Sequence, residues 1–378
     1  MSYCLNPRCP KPENSGNVNF CLTCGSKLLL KERYRAIKPI GQGGFGRTFL
    51  AVDEDKPSKP RCVIKQFYPQ AQGTNTVQKA VELFNQEAVQ LDELGKHPQI
   101  PELLAYFTQE DRQYLVQEFI DGQNLAQELA HKGAFSEAQI WQLLNDLLPV
   151  LKFCHVRQVI HRDIKPENII LRSNDGKLVL VDFGASKSAT GTALNRTGTS
   201  IGSPEYVAPE QMRGRAVFAS DIYSLGATCI NLLTRRSPFD SYDTNNDTWI
   251  WQKYLKTPVS HALSRILNKM LESVPMRRYQ TIDEVVKDLN QHSKAATPAN
   301  TAKPIPQPQA NSTPPVVSQS PSQIDLELEE MKTQFLIGGK PQQNKVQSPN
   351  STPQPSNKSQ IDKELEELKA KYLGNNNP

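Results

Sequence analysis

Seven cysteines are spread unevenly over this 378-residue chain, and four of them fall within its first 24 positions. Cys4 and Cys9 are separated by four residues and Cys21 and Cys24 by two, and Gly25 follows directly. Four thiolates in two close pairs form the donor set of a closed, tetrahedral Zn2+ site. The glycine lets the turn aim backbone N–H groups at the sulfurs. A 30-residue segment this poor in apolar residues needs such a staple to fold. Four protein ligands leave no open position on the metal, so the expected role is structure or partner binding. A disulfide pair and free reactive thiols are the competing readings. Cys62, Cys154 and Cys229 stand alone in apolar surroundings, as thiols of a reducing compartment do.

A second chemical signature is Gly41-Gln42-Gly43-Gly44-Phe45-Gly46, placed between two strand patterns. Glycines there let the backbone approach phosphate oxygens and offer them N–H donors. A dinucleotide-binding turn runs from a strand into a helix. Here a strand follows instead, which argues against that reading and leaves a flexible hairpin turn as the plain alternative. One strand further on stands Lys65, and Glu87 lies on the apolar face of the next helix. Either residue alone would be an ordinary solvated charge.

The elements that position these groups divide the chain in three. Residues 1–30 are Cys-paired and turn-rich. Residues 34–292 alternate strand and helix signals. Strands are predicted over Tyr34–Ile40, Thr48–Asp53, Cys62–Phe67, Leu103–Thr108 and Tyr114–Phe119. Val77, Val81, Phe84, Ala88 and Leu91 recur at helical spacing and predict a helix over Val77–Leu94. After Gly122 helices dominate: Ser136–His155 with a Ser N-cap, Ala219–Leu233, His261–Leu271 and Thr281–His292. This order predicts an α+β fold with a small β-rich lobe over 34–118, a larger α-rich lobe over 121–292, and a cleft between them.

His161-Arg162-Asp163-Ile164-Lys165-Pro166-Glu167-Asn168, then Asp182-Phe183-Gly184, then Ala208-Pro209-Glu210 follow in that order. With the Gly-rich turn, Lys65 and Glu87, this series resembles the protein kinases over residues 34–292. The resemblance implies ATP and Mg2+ as cofactors and proteins as substrates. It assigns Asp163 to the acceptor hydroxyl, Lys165 to the γ-phosphate, and Asn168 and Asp182 to Mg2+. It assigns Lys65, held by Glu87, to the α- and β-phosphates. Ile40, Gly41, Gln42, Gly43, Gly44, Phe45, Gly46 and Thr48 would cover the nucleotide. Backbone groups of Glu118 and Ile120 would meet the adenine edge, with Ala51 and Val52 as candidates for the roof over the ring. Asp221 would brace the catalytic loop, and Arg278 would pair with Glu210. Lys165-Pro166-Glu167 and Ser203 resemble the Ser/Thr branch. The cysteine segment resembles the four-cysteine zinc ribbon that precedes the kinase domain in cyanobacterial-type Ser/Thr kinases. Thr48, where Val is usual, and Val274, where Asp is common, depart from the pattern without touching the chemistry. A non-catalytic scaffold on the same fold is the alternative; ATP turnover separates the two.

The segment from Asp182 to Glu210 is rich in Thr and Ser, and Arg162 and Lys187 would place positive charge beside it. A phosphate on Thr199, or failing that Thr197, would supply the counter-charge and order the loop. Residues 293–378 hold 12 of the 28 prolines and only Phe335 and Tyr372 as aromatics, so they bury too little to offset ordering entropy. Within this predicted disordered tail, 322–338 and 359–374 repeat an apolar stripe and are expected to form short helices that dock a partner or the kinase domain, with fluctuating helices that dock nothing as the alternative. A net charge of +5 without a dense basic block does not call for nucleic acid. No apolar run is long enough to span a bilayer, and none at the N-terminus has signal-peptide character. The sequence thus predicts a cytoplasmic protein.

Overall fold

The computed structural model describes residues 1–16, 18–43, 46–68, 74–185, 187–188 and 203–293. Gly44, Phe45, Thr197, Thr199 and both tail repeats lie outside the described residues. Met1–Thr301 form one compact unit.

The N-terminal segment folds as two short strands, β1 (Ser2–Tyr3) and β2 (Glu13–Asn14), which pair antiparallel. A third, β3 (Leu29–Leu30), joins the sheet of the small lobe. That sheet continues with β4 (Tyr34–Gly43), β5 (Gly46–Asp53) and β6 (Arg61–Phe67). After the helix α1 (Thr74–Leu94) it ends with β7 (Leu103–Gln109) and β8 (Arg112–Glu118). The six strands run β3-β4-β5-β6-β8-β7, with antiparallel neighbours throughout. The Gly-rich turn thus joins β4 to β5. Close approach explains one of its glycines: a Cβ on Gly46 would lie 2.2 Å from the Gln66 carbonyl oxygen.

Strands buried on both faces lose strict alternation, and β6 shows it, with Cys62, Val63, Ile64 and Gln66 all buried. One face of the sheet meets α1, where Phe67 packs on Phe84 with ring centroids 5.3 Å apart. The opposite face builds a separate core from Phe49, Ala51, Ile64, Tyr114 and Val116.

In the large lobe, α2 (Leu125–Lys132) was not among the predicted elements, because eight residues are too few for a clear period. Next comes α3 (Glu137–Val156), whose Ser136 cap is reciprocated by Gln139 in a capping box. Between α3 and the Phe218–Thr234 helix run the catalytic-loop sequence and the Ile169–Arg172/Leu178–Leu180 hairpin. The Phe218–Thr234 helix is buried almost throughout and forms the axis of the lobe.

Glu210 and Arg278 meet in a buried bidentate pair, with both N···O distances 2.8 Å. The remaining guanidinium bonds go to the carbonyls of Ala219, Glu272 and Ser273, and Ser220 Oγ donates to Glu210 at 2.6 Å. Burial pushes the Glu210 carboxyl up, but these donors win and hold it below the ordinary glutamate value of 4.5. Its contribution to stability is therefore complete above that value and is lost as pH falls through the lower folded one. Arg278→Met leaves a buried carboxylate unpaired and should cost about 3–5 kcal/mol. Adding Glu210→Gln should recover part of that loss. Thermal unfolding of the three proteins at pH 7 and pH 4 checks both points. Equal midpoints for wild type and Arg278→Met at pH 7 would refute this role.

Candidate active site

A cleft between the lobes collects the residues singled out by their chemistry. Ile40, Gly41, Gln42, Gly46 and Thr48 line its upper wall. Lys65, Glu87, Asp163, Lys165, Asn168 and Asp182 line its interior, and Glu118 and Ile120 line the hinge side. Of the roof candidates, Ala51 belongs to the opposite core, and the cleft lining holds Val63 instead. Strand alternation explains this: Val63 shares a face with Lys65. Gln117, Phe84 and Ile170 also line the cleft and were not singled out from the sequence. Nothing in their type or spacing separates them from ordinary core residues.

The upper charge cluster is built on β6, α1 and the loop after the hairpin. Lys65 Nζ bonds Glu87 Oε1 and lies 2.9 Å from Asp182 Oδ1. Burial disfavours the lysine charge, but the Asp182 and Glu87 carboxylates outweigh it and raise its pKa. Lys65 in turn lowers Asp182 to about 2. Burial pushes Glu87 up against the pull of Lys65. Asp182 itself adopts a left-handed backbone, φ 67°. That strain of about 1–3 kcal/mol persists only where the surroundings enforce it.

The lower cluster is centred on Asp163. Its Oδ1 accepts from the Ser203 N–H at 2.9 Å and from Ser203 Oγ at 3.1 Å. Its Oδ2 accepts from Asn168 Nδ2 and pairs with Lys165 Nζ, both at 2.9 Å. Asn168 Nδ2 also donates to the Asp163 carbonyl at 2.8 Å. Lys165 Nζ reaches Ser203 Oγ at 2.6 Å. Ser203, chosen from the sequence only for its bearing on the acceptor, thus touches the central carboxylate directly.

Asp221 fixes the loop from below. It accepts from the His161 and Arg162 N–H groups, each at 2.9 Å, and contacts His155 Nε2 at 2.8 Å. Those bonds hold Arg162 at φ 71°. The Arg162 side chain is largely buried, and its Nε has no hydrogen-bond partner among the described residues.

The four N-terminal cysteines also converge, with all four sulfurs within 4.8 Å of one another. Cys4 and Cys24 are 3.6 Å apart, Cys9 and Cys21 3.7 Å. A tetrahedral ion with Zn–S bonds of about 2.3 Å requires sulfurs about 3.8 Å apart. Backbone N–H groups aim at every sulfur: Asn6 at Cys4, Lys11 at Cys9, Thr23 and Cys24 at Cys21, and Ser26 at Cys24. Such donors suit thiolates bound to a cation and have no use in a disulfide. The residues present fit Zn2+.

The family model for the protein kinase domain matches residues 34–292. The chain is 43% identical to serine/threonine-protein kinase B of Synechocystis sp., over 76% of this chain and 51% of that protein. It is 44% identical to serine/threonine-protein kinase C of the same organism, over 69% and 50%. Against serine/threonine-protein kinase PknA of Nostoc sp. the identity is 42%, over 69% and 47%. The chain thus spans about half the length of these curated relatives. With the family model covering most of its residues and the cleft assembling both charge clusters, this chain belongs to the protein kinase domain family.

Proposed function

We propose that this chain is a protein Ser/Thr kinase that transfers the γ-phosphoryl group of ATP to protein hydroxyls. The carrying observation is the convergence on Asp163 of Lys165, Asn168 and Ser203, in the same cleft as the Lys65–Glu87–Asp182 cluster. Phosphoryl transfer asks little covalent work of a protein, so charges held in place supply most of the catalysis. Asp163 orients the acceptor hydroxyl and takes its proton. Lys165 stands beside it with an ammonium for the γ-phosphate. Lys65, fixed by Glu87, is the charge for the α- and β-phosphates. The Asn168 carbonyl and the Asp182 carboxylate are hard oxygen donors of the kind Mg2+ takes. Held by these two residues, Mg2+ would supply positive charge against the phosphates of the nucleotide. Glu118 donates its N–H to the Glu102 carbonyl at 2.9 Å, so its share in holding adenine falls to its own carbonyl. Ile120 offers the next backbone group along the hinge. The Lys165–Ser203 bond supports Ser/Thr acceptors.

On this reading residues 1–30 are a zinc ribbon, 34–292 the kinase domain, and 293–378 a tail whose two repeats dock a partner. Among the described residues no helix is long and apolar enough to cross a membrane. Cys4, Cys9, Cys21 and Cys24 hold one structural Zn2+. The Asp182–Glu210 segment switches the enzyme on through phosphate at Thr199, with Thr197 the second candidate. Among the described residues the buried Nε of Arg162 has no hydrogen-bond partner, which supports a need for a counter-charge there.

Three measurements test these statements. With Mg-ATP and a Ser/Thr peptide, Asp163→Asn should retain less than about 1% of turnover with an unchanged circular dichroism spectrum; undiminished turnover would remove Asp163 from its role. Metal analysis of protein purified under reducing conditions should give about one zinc per chain, lost in a Cys9→Ser/Cys21→Ser variant. A metal-free wild-type protein with a protease-resistant N-terminus would rule zinc out. Thr199→Ala should lower activity at least tenfold, and mass spectrometry of active enzyme should find phosphate between Thr190 and Ser200. Full activity after all of Thr190, Thr192, Thr197, Thr199 and Ser200 become Ala would show that the loop is ordered another way.

A further inference from the structure

The outer face of the small-lobe sheet, opposite the cleft, is apolar and would face water if nothing lay over it. Its cover comes from the cysteine segment. Leu5 and Leu30 are buried members of the same core as Phe49, Ile64 and Tyr114. The Tyr3 ring packs on Phe49 with centroids 5.6 Å apart. Leu5 follows Cys4 directly, so the neighbour of a proposed metal ligand is a core residue of the lobe that holds the nucleotide.

Polar contacts tie the same surfaces together. The Leu5 carbonyl accepts from Gln66 Nε2 at 2.8 Å, inside the core. Gln66 is fully buried and donates also to Tyr114 Oη at 3.2 Å. It follows Lys65 on β6, and strand alternation turns the two side chains to opposite faces. One hydrogen bond therefore links Cys4-Leu5 to Gln66-Lys65. Elsewhere on the segment, buried Arg35 on β4 donates to Ser2 Oγ at 3.0 Å and to the Val18 carbonyl at 2.7 Å, while pairing with Glu54 at 2.8 Å. Arg47, just past the Gly-rich turn, lies 5.0 Å from the Phe49 ring on which Tyr3 packs.

We propose that the cysteine cluster and the nucleotide site are energetically coupled, with Gln66 as the positioning residue that joins them. The inference rests on the kinase and zinc readings above. Apart from the cysteines, Leu28 is the one fully buried member of the cluster's own small core among the described residues, with Val18 packed against it. The metal is thus what keeps Tyr3 and Leu5 in the shape that fits the sheet. Emptying the cluster withdraws the Leu5 carbonyl from Gln66 and uncovers Phe49 and Ile64. The strand that carries Lys65 then loses its support from behind. Coupling of this kind is reciprocal: if zinc tightens nucleotide binding, nucleotide tightens zinc binding by the same factor.

The test uses the full chain, with zinc content and peptide phosphorylation established first. Affinity for a non-hydrolysable ATP analogue with Mg2+ is measured on zinc-loaded protein and after removal by a zinc-selective chelator. Zinc affinity is measured by chelator competition with and without the analogue. Stripping should weaken nucleotide binding at least about fivefold, and the analogue should raise zinc affinity by a matching factor. Gln66→Met keeps the volume but removes the donor. It should still bind zinc, bring both factors towards one, and raise the KM for ATP more than it lowers kcat. Should the stripped chain unfold, the zinc arm decides alone, because it is read on folded protein: zinc affinity unchanged by saturating analogue overturns the coupling. Wild-type factors in Gln66→Met overturn the role of Gln66. Either negative result appears in a chain that still carries zinc and still phosphorylates peptide, so it is distinct from failure of the underlying readings.

Discussion

The catalytic loop depends on one buried carboxylate. Asp221 is fully excluded from solvent, so its charge survives only if donors surround it. Burial pushes its pKa up, but His155 and the backbone N–H groups of the loop overcome that and hold it below the ordinary aspartate value. The carboxylate sits in the first turn of the buried Phe218–Thr234 helix, where the helix dipole also favours negative charge. The reciprocal effect falls on the loop. His161 and Arg162 present consecutive N–H groups to one side chain, which forces Arg162 into its left-handed conformation. That bend sends Asp163 upward to Ser203, Asn168 and Lys165.

The cleft above follows the same logic of charges held before they are used. Lys65 shares its ammonium between Glu87 on α1 and Asp182 on the loop after the hairpin. Three elements from two lobes therefore meet at one cation. A low-dielectric site gains from such an arrangement because its dipoles need little reorganisation when charge develops. The cost is that the site exists only when α1 and the Asp182 loop are both in register. The Glu210–Arg278 pair acts at a distance in the same way, fixing the far end of the Asp182–Glu210 segment to the large lobe.

The cysteine segment belongs to this framework more closely than its composition implies. Taken alone, residues 1–30 are a small, polar segment with four cysteines. In the fold they share a core with the small lobe, and β3 is an edge strand of its sheet. The sheet thereby has covered surfaces on both sides, α1 and the cleft on one and the cysteine segment on the other.

Much of this was legible from residue order. The Gly-rich turn, Lys65, Glu87, the run from His161 to Asn168 and Asp182-Phe183-Gly184 mark a kinase because each chemical role needs a particular side chain at a particular place in the chain. The main strands and helices were legible too: the Val77–Leu94 periodicity matches α1 except at its start, where the observed helix begins at Thr74. That the four cysteines converge was legible from their two close pairs near one end of the chain. Tertiary structure decided the rest. Which strand residue faces the cleft, Val63 or Ala51, depends on the phase of a doubly buried sheet, and residue type cannot report it when both faces are apolar. That Ser203 meets Asp163, across 40 positions, depends on chain closure. That Leu5 lies against Gln66, across 61 positions, depends on which apolar face of one region happens to complete the core of another. Sequence patterns record local periodicity and chemical necessity; a contact between distant segments is chosen by the packing of the whole lobe.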